Sequence, residues 1–95
     1  MKEDTAKSRK EIKNMFRMYL VEARQKKNLS MRKTALAAGM SVSHYSRIES
    51  GDRNSGGFFL TFCKIAEVLD INLNDMYRFE KEYKTLKESK ETQEY

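Results

Sequence analysis

The chain has no proline and only four glycines, at positions 39, 51, 56 and 57, so few of its residues interrupt a helix. Proline removes a backbone donor, and glycine ends helices in the left-handed conformation, so both residue types mark boundaries between helical segments. Between the glycines, apolar residues recur three and four positions apart, which is the spacing of amphipathic helices. The sequence therefore predicts an all-α protein.

The first two predicted helices lie before Gly39. One covers residues 8–27, where Ser8 and Glu11 have the spacing of a capping box. Its apolar stripe consists of Ile12, Met15, Phe16, Tyr19, Leu20 and Ala23. The other begins after its cap Ser30 and ends at Ala38, where Gly39 supplies the left-handed residue.

Three further helices are predicted after Gly39. The third runs from 42 to about 50, between the cap Ser41 and the closing Gly51. The fourth covers residues 58–69, with an apolar face of Phe59, Phe62, Ile65, Ala66 and Leu69. The fifth begins at Asn72 or Asn74.

The fifth helix carries an apolar stripe with spacings of three, four and three: Met76, Phe79, Tyr83 and Leu86. Two interpretations remain open. Met76, Tyr77 and Phe79 pack on the core of the domain, or the helix pairs with its copy in a second chain, although two heptads are short for a free coiled coil. After about Glu88 the residues are polar except for the terminal tyrosine, and we expect fraying there.

Length and composition exclude several classes of protein. Ninety-five residues are enough for one small domain. No run approaches the roughly 18 apolar residues of a membrane helix, and residues 1–13 have no stretch typical of a signal peptide, so we expect a cytoplasmic protein without a membrane partner. Cys63 and His44 are the only residues of their types, which excludes an internal disulfide and a conventional zinc site. We expect Cys63 to be a buried apolar side chain.

The net charge of +5 is unevenly distributed. Residues 1–30 hold nine Lys and Arg against four Asp and Glu, residues 31–54 hold four against two, and residues 55–95 hold six against eight. A basic amino-terminal part favours contact with a polyanion, although many basic surfaces bind no nucleic acid.

The second and third predicted helices, joined by a turn that contains Gly39, have the form of a helix-turn-helix. In the third helix Tyr45 and Ile48 point to one side, which leaves Val42, Ser43, Ser46 and Arg47 on the other. These side chains are short enough to let a helix approach base edges, and Arg47 can donate two hydrogen bonds to guanine. An ordinary solvated face would carry more Glu and Lys.

Two segments carry a resemblance to a known family: LVEARQKKNLSMRKTALAAGMSVSHYSRIESGDRN and, after a loop, FFLTFCKIAEVLDINLNDMY. The chain resembles the Cro and lambda-type phage repressors, also called the XRE family, over about residues 16–77. The positions in register include Ala35, Gly39, the Ile48-Glu49 pair before Gly51, and the Ile-Ala pair of the fourth helix. The resemblance implies a compact five-helix, lambda-repressor-like domain that binds operator DNA as a two-fold dimer.

The resemblance also implies roles for individual residues. The base-reading positions fall on Val42, Ser43, His44 and Arg47. Phosphate contacts are expected from Ser30, Arg32, Lys33, Ser50, Arg53 and Asn54. An ion pair between Arg24 and Glu49 is expected to fix the orientation of the first and third helices.

The chain departs from the family pattern in three places. Thr34 stands where the family has a core leucine, so we expect looser packing near the second helix. Met31 replaces the glutamine that usually grips a phosphate. The proline after the third helix is absent, and residues 55–57 make that loop about two residues longer.

The sequence thus predicts three parts. Residues 1–15 form a basic extension, residues 16–77 the helix-turn-helix domain, and residues 78–95 a helical extension with a frayed tail. The basic extension is either a solvated helix face or an arm, and its basic residues are Lys2, Lys7, Arg9, Lys10 and Lys13. We expect a sequence-specific DNA-binding transcriptional regulator, a repressor that binds a two-fold operator as a homodimer with helix 42–50 in the major groove. The alternative is an antitoxin- or antirepressor-like module that binds a protein partner through the aromatic helix at 77–83. No phosphate loop or paired carboxylates occur, so the sequence predicts no enzyme and no cofactor.

Overall fold

The computed structural model describes residues 15–52 and 59–93, with side chains up to position 89. These residues form five helices and no strand: α1 (Met18–Lys26), α2 (Met31–Ala37), α3 (Val42–Ser50), α4 (Phe59–Leu69) and α5 (Leu73–Gln93). Several predicted features lie outside the described residues: the Ser8–Glu11 capping box, the extension before Met15, Arg53, Asn54 and the loop at 55–57.

Helices α2 and α3 begin and end where the capping residues predicted. The hydroxyl of Ser30 accepts a hydrogen bond from Lys33 N at 3.0 Å, and that of Ser41 accepts one from His44 N at 3.1 Å. Gly39 and Gly51 follow the two helices with φ of 73° and 79°. Glycine adopts this left-handed conformation without a steric penalty, so both helices end sharply and the turn between them is short.

The prediction of a continuous first helix from Ser8 is wrong, because residues 15–17 are not helical and α1 begins at Met18. Tertiary contacts hold this segment outside the helix. Arg17 N donates to Glu49 O at 2.8 Å, and Met15 O accepts from the Tyr83 hydroxyl at 2.6 Å. Phe16, which belonged to the predicted stripe, is exposed as a result.

The core lies between all five helices. Its buried apolar residues are Leu20, Ala35, Ala38, Tyr45, Ile48, Ile65, Ala66, Leu69 and Met76. Phe62 packs against this cluster, whereas Phe59 is 76% exposed, which contradicts its assignment to the apolar face of α4. Phe59 is the first residue of α4 and lies nearly one turn before Phe62, so it does not reach the core. Cys63 on the same helix is half-buried rather than buried.

The C-terminal helix α5 begins after Asn72, whose side chain accepts from Asn74 N at 2.8 Å, and it continues past Glu88 to Gln93. Of its apolar stripe, Met76 and Tyr83 are buried. The ring of Phe79 packs against that of Tyr19, with 5.2 Å between the ring centroids. Tyr77 is 66% exposed, so it does not pack on the core as one interpretation predicted. The described helices include none with both the length and the apolar character to cross a bilayer.

Candidate nucleic-acid interface

Helix α3 has one buried face and one open face. Tyr45 and Ile48 are fully buried, and Glu49 beside them is nearly so. Val42, Ser43 and Arg47 are exposed on the other side. Because Ser43 and Arg47 are four residues apart, they lie one turn apart along the same surface of the helix.

A buried ion pair holds α3 against α1. Arg24 Nε and Nη2 donate to the two carboxylate oxygens of Glu49 at 2.8 and 3.1 Å, so the pair has the bidentate geometry that fixes both side chains. Arg24 Nη1 donates to Leu29 O at 3.0 Å, and the Tyr45 hydroxyl donates to Glu49 Oε2 at 2.7 Å. The residues that the family resemblance paired are therefore in contact, with a tyrosine as a third member.

The electrostatics of this triad follow from its burial. The hydrogen bond to Glu49 raises the pKa of Arg24 above its usual range, so the guanidinium stays charged. Burial, and then the hydrogen bond to Glu49, raise the pKa of Tyr45 well above its ordinary value. Tyr45 is therefore a stable donor, and the triad locks the inner face of α3 at neutral pH.

Helix α2 packs against α3 and presents basic groups at its first turn. Arg32 and Lys33 are exposed, while the Ser30 hydroxyl is engaged as the helix cap. Met31, in the place of the family's glutamine, is also exposed. Thr34 is fully buried, and its hydroxyl donates to Ser30 O at 2.8 Å, so the polar group that replaces leucine is satisfied within its own helix.

The remaining predicted site residues are less open. His44 is half-buried, and so is Ser50, whose hydroxyl donates to Arg47 O at 3.2 Å. Ser46, which the sequence placed on the outward side of the helix, is also half-buried. The structure thus brings Val42, Ser43 and Arg47 together as the open part of the predicted base-reading set.

A second buried polar cluster was not foreseen from the sequence. Arg17 Nε and Nη2 donate to Glu80 at 2.6 and 3.3 Å, and Arg17 Nη1 donates to Ile48 O at 2.6 Å. The Tyr19 hydroxyl donates to the same Glu80 carboxylate at 2.6 Å. This arrangement repeats that of Arg24, Glu49 and Tyr45, but it joins α5 to the end of α3. No local sequence signal marks it, because Arg17 and Glu80 are 63 residues apart.

Comparison with known proteins identifies the family to which the chain belongs. A family model described as helix-turn-helix matches residues 20–76, which cover α1 from its third residue, all of α2 to α4, and the start of α5. Neither the curated proteins nor the solved structures gave a match. The matched segment contains the two capped helices and the open face described above. The chain therefore belongs to the XRE, or lambda-repressor-type, helix-turn-helix family of DNA-binding transcription regulators.

Proposed function

We propose that the protein is a sequence-specific repressor that binds a two-fold operator as a homodimer and inserts α3 into the major groove. The observation that carries this proposal is the open face of α3. Val42, Ser43 and Arg47 are uncovered on a helix whose opposite side is fixed by buried contacts. A rigid helix with short side chains toward its N-terminal end is the element that helix-turn-helix proteins use to reach base edges.

The residues divide by the contacts that their chemistry allows. Arg47 has the donors for a bidentate contact with guanine. Val42 can make an apolar contact with a thymine methyl group, and Ser43 and His44 can each form a single hydrogen bond with a base. Arg32 and Lys33 carry exposed positive charge at the start of α2, which suits phosphate contacts that set the register. Ser30, Ser50, Arg53 and Asn54 complete the proposed phosphate set.

The proposal of a dimer is supported by apolar side chains that the monomer leaves open. Leu73, Tyr77 and Leu86 on α5 are each at least half exposed. Leu73 and Tyr77 lie one turn apart on the same side of α5, and an exposed apolar pair of this kind favours contact with another chain. A dimer would place two copies of α3 in successive major grooves, roughly 34 Å apart. Its occupancy of a promoter would then exclude polymerase.

Selection of bound sequences from a random pool of duplexes tests the proposal. We expect a palindromic consensus whose half-sites lie about one helical turn apart, and a dimer on DNA by analytical ultracentrifugation. Binding should weaken steeply with salt, as expected for about six to ten phosphate contacts. If no sequence is enriched and a protein co-purifies in stoichiometric amount, the chain is instead an interaction module of the antitoxin or antirepressor type.

Substitution of Arg47 separates base reading from phosphate contact. Arg47→Ala is expected to cost about 1–3 kcal/mol on the selected duplex and to relax the preference at one base position. The matched control is Lys84→Ala, which removes one exposed positive charge from α5. An equal loss of affinity for the selected and the unrelated DNA would mean that Arg47 contacts the DNA phosphates rather than a base.

A further inference from the structure

We propose that α5 positions the C-terminal end of α3 for DNA binding, so that the functional unit extends beyond the family segment 20–76. The residues that carry this role are Arg17, Glu80, Tyr83 and Lys87, which we call the C-terminal clamp. All four lie outside residues 20–76. The inference rests on the proposed function of α3 and adds residues that act on that helix without touching DNA.

The first part of the clamp reaches α3 through Arg17. Glu80 on α5 accepts two hydrogen bonds from the Arg17 guanidinium, whose remaining terminal nitrogen donates to Ile48 O at 2.6 Å. The ring centroids of Phe62 and Tyr83 lie 5.3 and 4.6 Å from the guanidinium carbon of Arg17. The arginine is therefore enclosed by α5 and α4 and directed at the last turn of α3.

The second part of the clamp acts at the residue that ends α3. Lys87 Nζ donates to Gly51 O at 2.8 Å, and the Tyr83 hydroxyl donates to Met15 O at 2.6 Å. A Cβ atom at Gly51 would overlap both Met15 O and the Tyr83 hydroxyl. The end of α3 is thus in direct contact with α5 and with the segment that α5 holds.

Together these contacts supply donors to carbonyl groups at the C-terminal end of α3, where a helix lacks its regular backbone partners. Ile48 O accepts from the Arg17 side chain, Glu49 O from Arg17 N, and Gly51 O from Lys87. Each donor belongs to a residue outside the family segment. The Arg24–Glu49 pair fixes one side of α3 against α1, and the clamp fixes its end.

Such a constraint matters for recognition because a binding residue must be held within about 0.5 Å of its productive position. Arg47 lies in the turn that the clamp holds, and its own carbonyl accepts from Asp52 N at 3.0 Å. Loosening of the clamp is therefore expected to displace the base-reading side chain more than the phosphate-contacting turn of α2.

The test compares Glu80→Gln with Glu82→Gln. Both remove one carboxylate from α5, but Glu80 pairs with Arg17 whereas Glu82 is exposed. Amide hydrogen exchange is measured without DNA at the bonds from Gly51 N to Ile48 O and from Asp52 N to Arg47 O. We expect exchange at these two amides to be at least about tenfold faster in Glu80→Gln than in the control, with the amides of α2 unchanged.

Affinity is then measured for the duplex selected by the wild-type protein and for an unrelated duplex, at a temperature where both variants are fully folded. We expect Glu80→Gln to lose about tenfold in affinity on the selected duplex, or 1.4 kcal/mol, and to match Glu82→Gln on the unrelated one. A residue that only supports the fold would lower the melting temperature and leave the affinity of the folded protein unchanged.

Several outcomes overturn the proposal: equal exchange in the two variants, a uniform increase over all helices, or faster exchange with unchanged affinity. If the wild-type protein selects no sequence, the proposed function and the role in DNA binding fail together, while the exchange comparison still decides whether α5 holds the end of α3. If Glu80→Gln does not fold, Tyr83→Phe is compared with Tyr77→Phe in the same exchange and affinity measurements and judged by the same criteria. That pair removes one hydroxyl from a buried and from an exposed site on the same helix.

Discussion

Replacement of Arg24 by methionine tests how far the buried triad on α3 stabilises the domain. The substitution keeps most of the apolar stem and removes the guanidinium, which donates two hydrogen bonds to Glu49 and one to Leu29 O. Among the described residues, Glu49 would then keep only the Tyr45 hydroxyl as a side-chain partner, in a site where its side chain is 5% exposed. A charged group would remain buried without its counter-ion.

The magnitude follows from that burial. Because Arg24 is only 14% exposed and Glu49 less, solvent screens the pair weakly. Removal of one partner of such a pair costs about 3–5 kcal/mol, since the remaining charge loses its compensation. For a domain stable by roughly 5–15 kcal/mol this is a large fraction, and it corresponds to a fall in melting temperature of at least about 12 °C.

The assay is urea unfolding followed by far-UV circular dichroism, in which the midpoint should fall while the m-value stays constant. The triple variant Arg24→Met, Glu49→Met, Tyr45→Phe removes all three polar groups at once. It should be more stable than Arg24→Met alone, because it leaves no buried charge and no buried hydroxyl without a partner. A single variant that loses under about 1 kcal/mol, or a triple variant less stable than the single one, would refute this account.

Three further predictions concern stability. Gly51→Ala and Gly39→Ala each place an alanine in the left-handed conformation, which costs about 1–2 kcal/mol of stability. A Cβ at Gly51 also overlaps neighbouring atoms, whereas one at Gly39 meets nothing within 4 Å. The Gly51 variant should therefore be the less stable by a further ~1–3 kcal/mol in urea unfolding, and equal losses would argue against the close approach. Burial, and then hydrogen bonds to carboxylates, raise the pKa of Tyr19 and Tyr45 above the ordinary value of 10.0. Since unfolded tyrosines ionise near pH 10, the contribution of these two tyrosines to the free energy of unfolding should be constant below that pH and fall as the pH rises further. Ultraviolet titration should show at least two tyrosines that ionise only with unfolding, and their ionisation in the folded protein near pH 10 would contradict this. Ser41→Ala removes the cap of α3 and should cost about 1 kcal/mol, measured by thermal unfolding, whereas an unchanged melting temperature would mean that the cap contributes nothing.

The ends of α2 and α3 and the inward side of α3 were predictable because their signals are local. Ser30, Ser41, Gly39 and Gly51 act within one turn of the helix ends that they define. The exposure of Val42, Ser43 and Arg47 followed from the inward positions of Tyr45 and Ile48, because one helical period separates inward from outward residues. Ser46, predicted on the same face, is half-buried. The Arg24–Glu49 contact came from the family resemblance rather than from spacing.

The start of α1 was not predictable in the same way. The apolar stripe from Ile12 to Ala23 continues through residues 15–17, so periodicity alone favours one long helix. Helix propensity is a weak preference, and the backbone contacts of Met15 and Arg17 with Tyr83 and Glu49 outweigh it. The exposed position of Phe59 likewise depends on where α4 meets the other helices.

By itself the sequence determined that this chain is helical, where α2 and α3 begin and end, and which side of α3 packs inward. These properties depend on interactions between residues at most four positions apart. Only the tertiary structure decided that Arg17 leaves the first helix and joins Glu80 to the end of α3, because that contact forms between residues 63 positions apart once the core has brought them together.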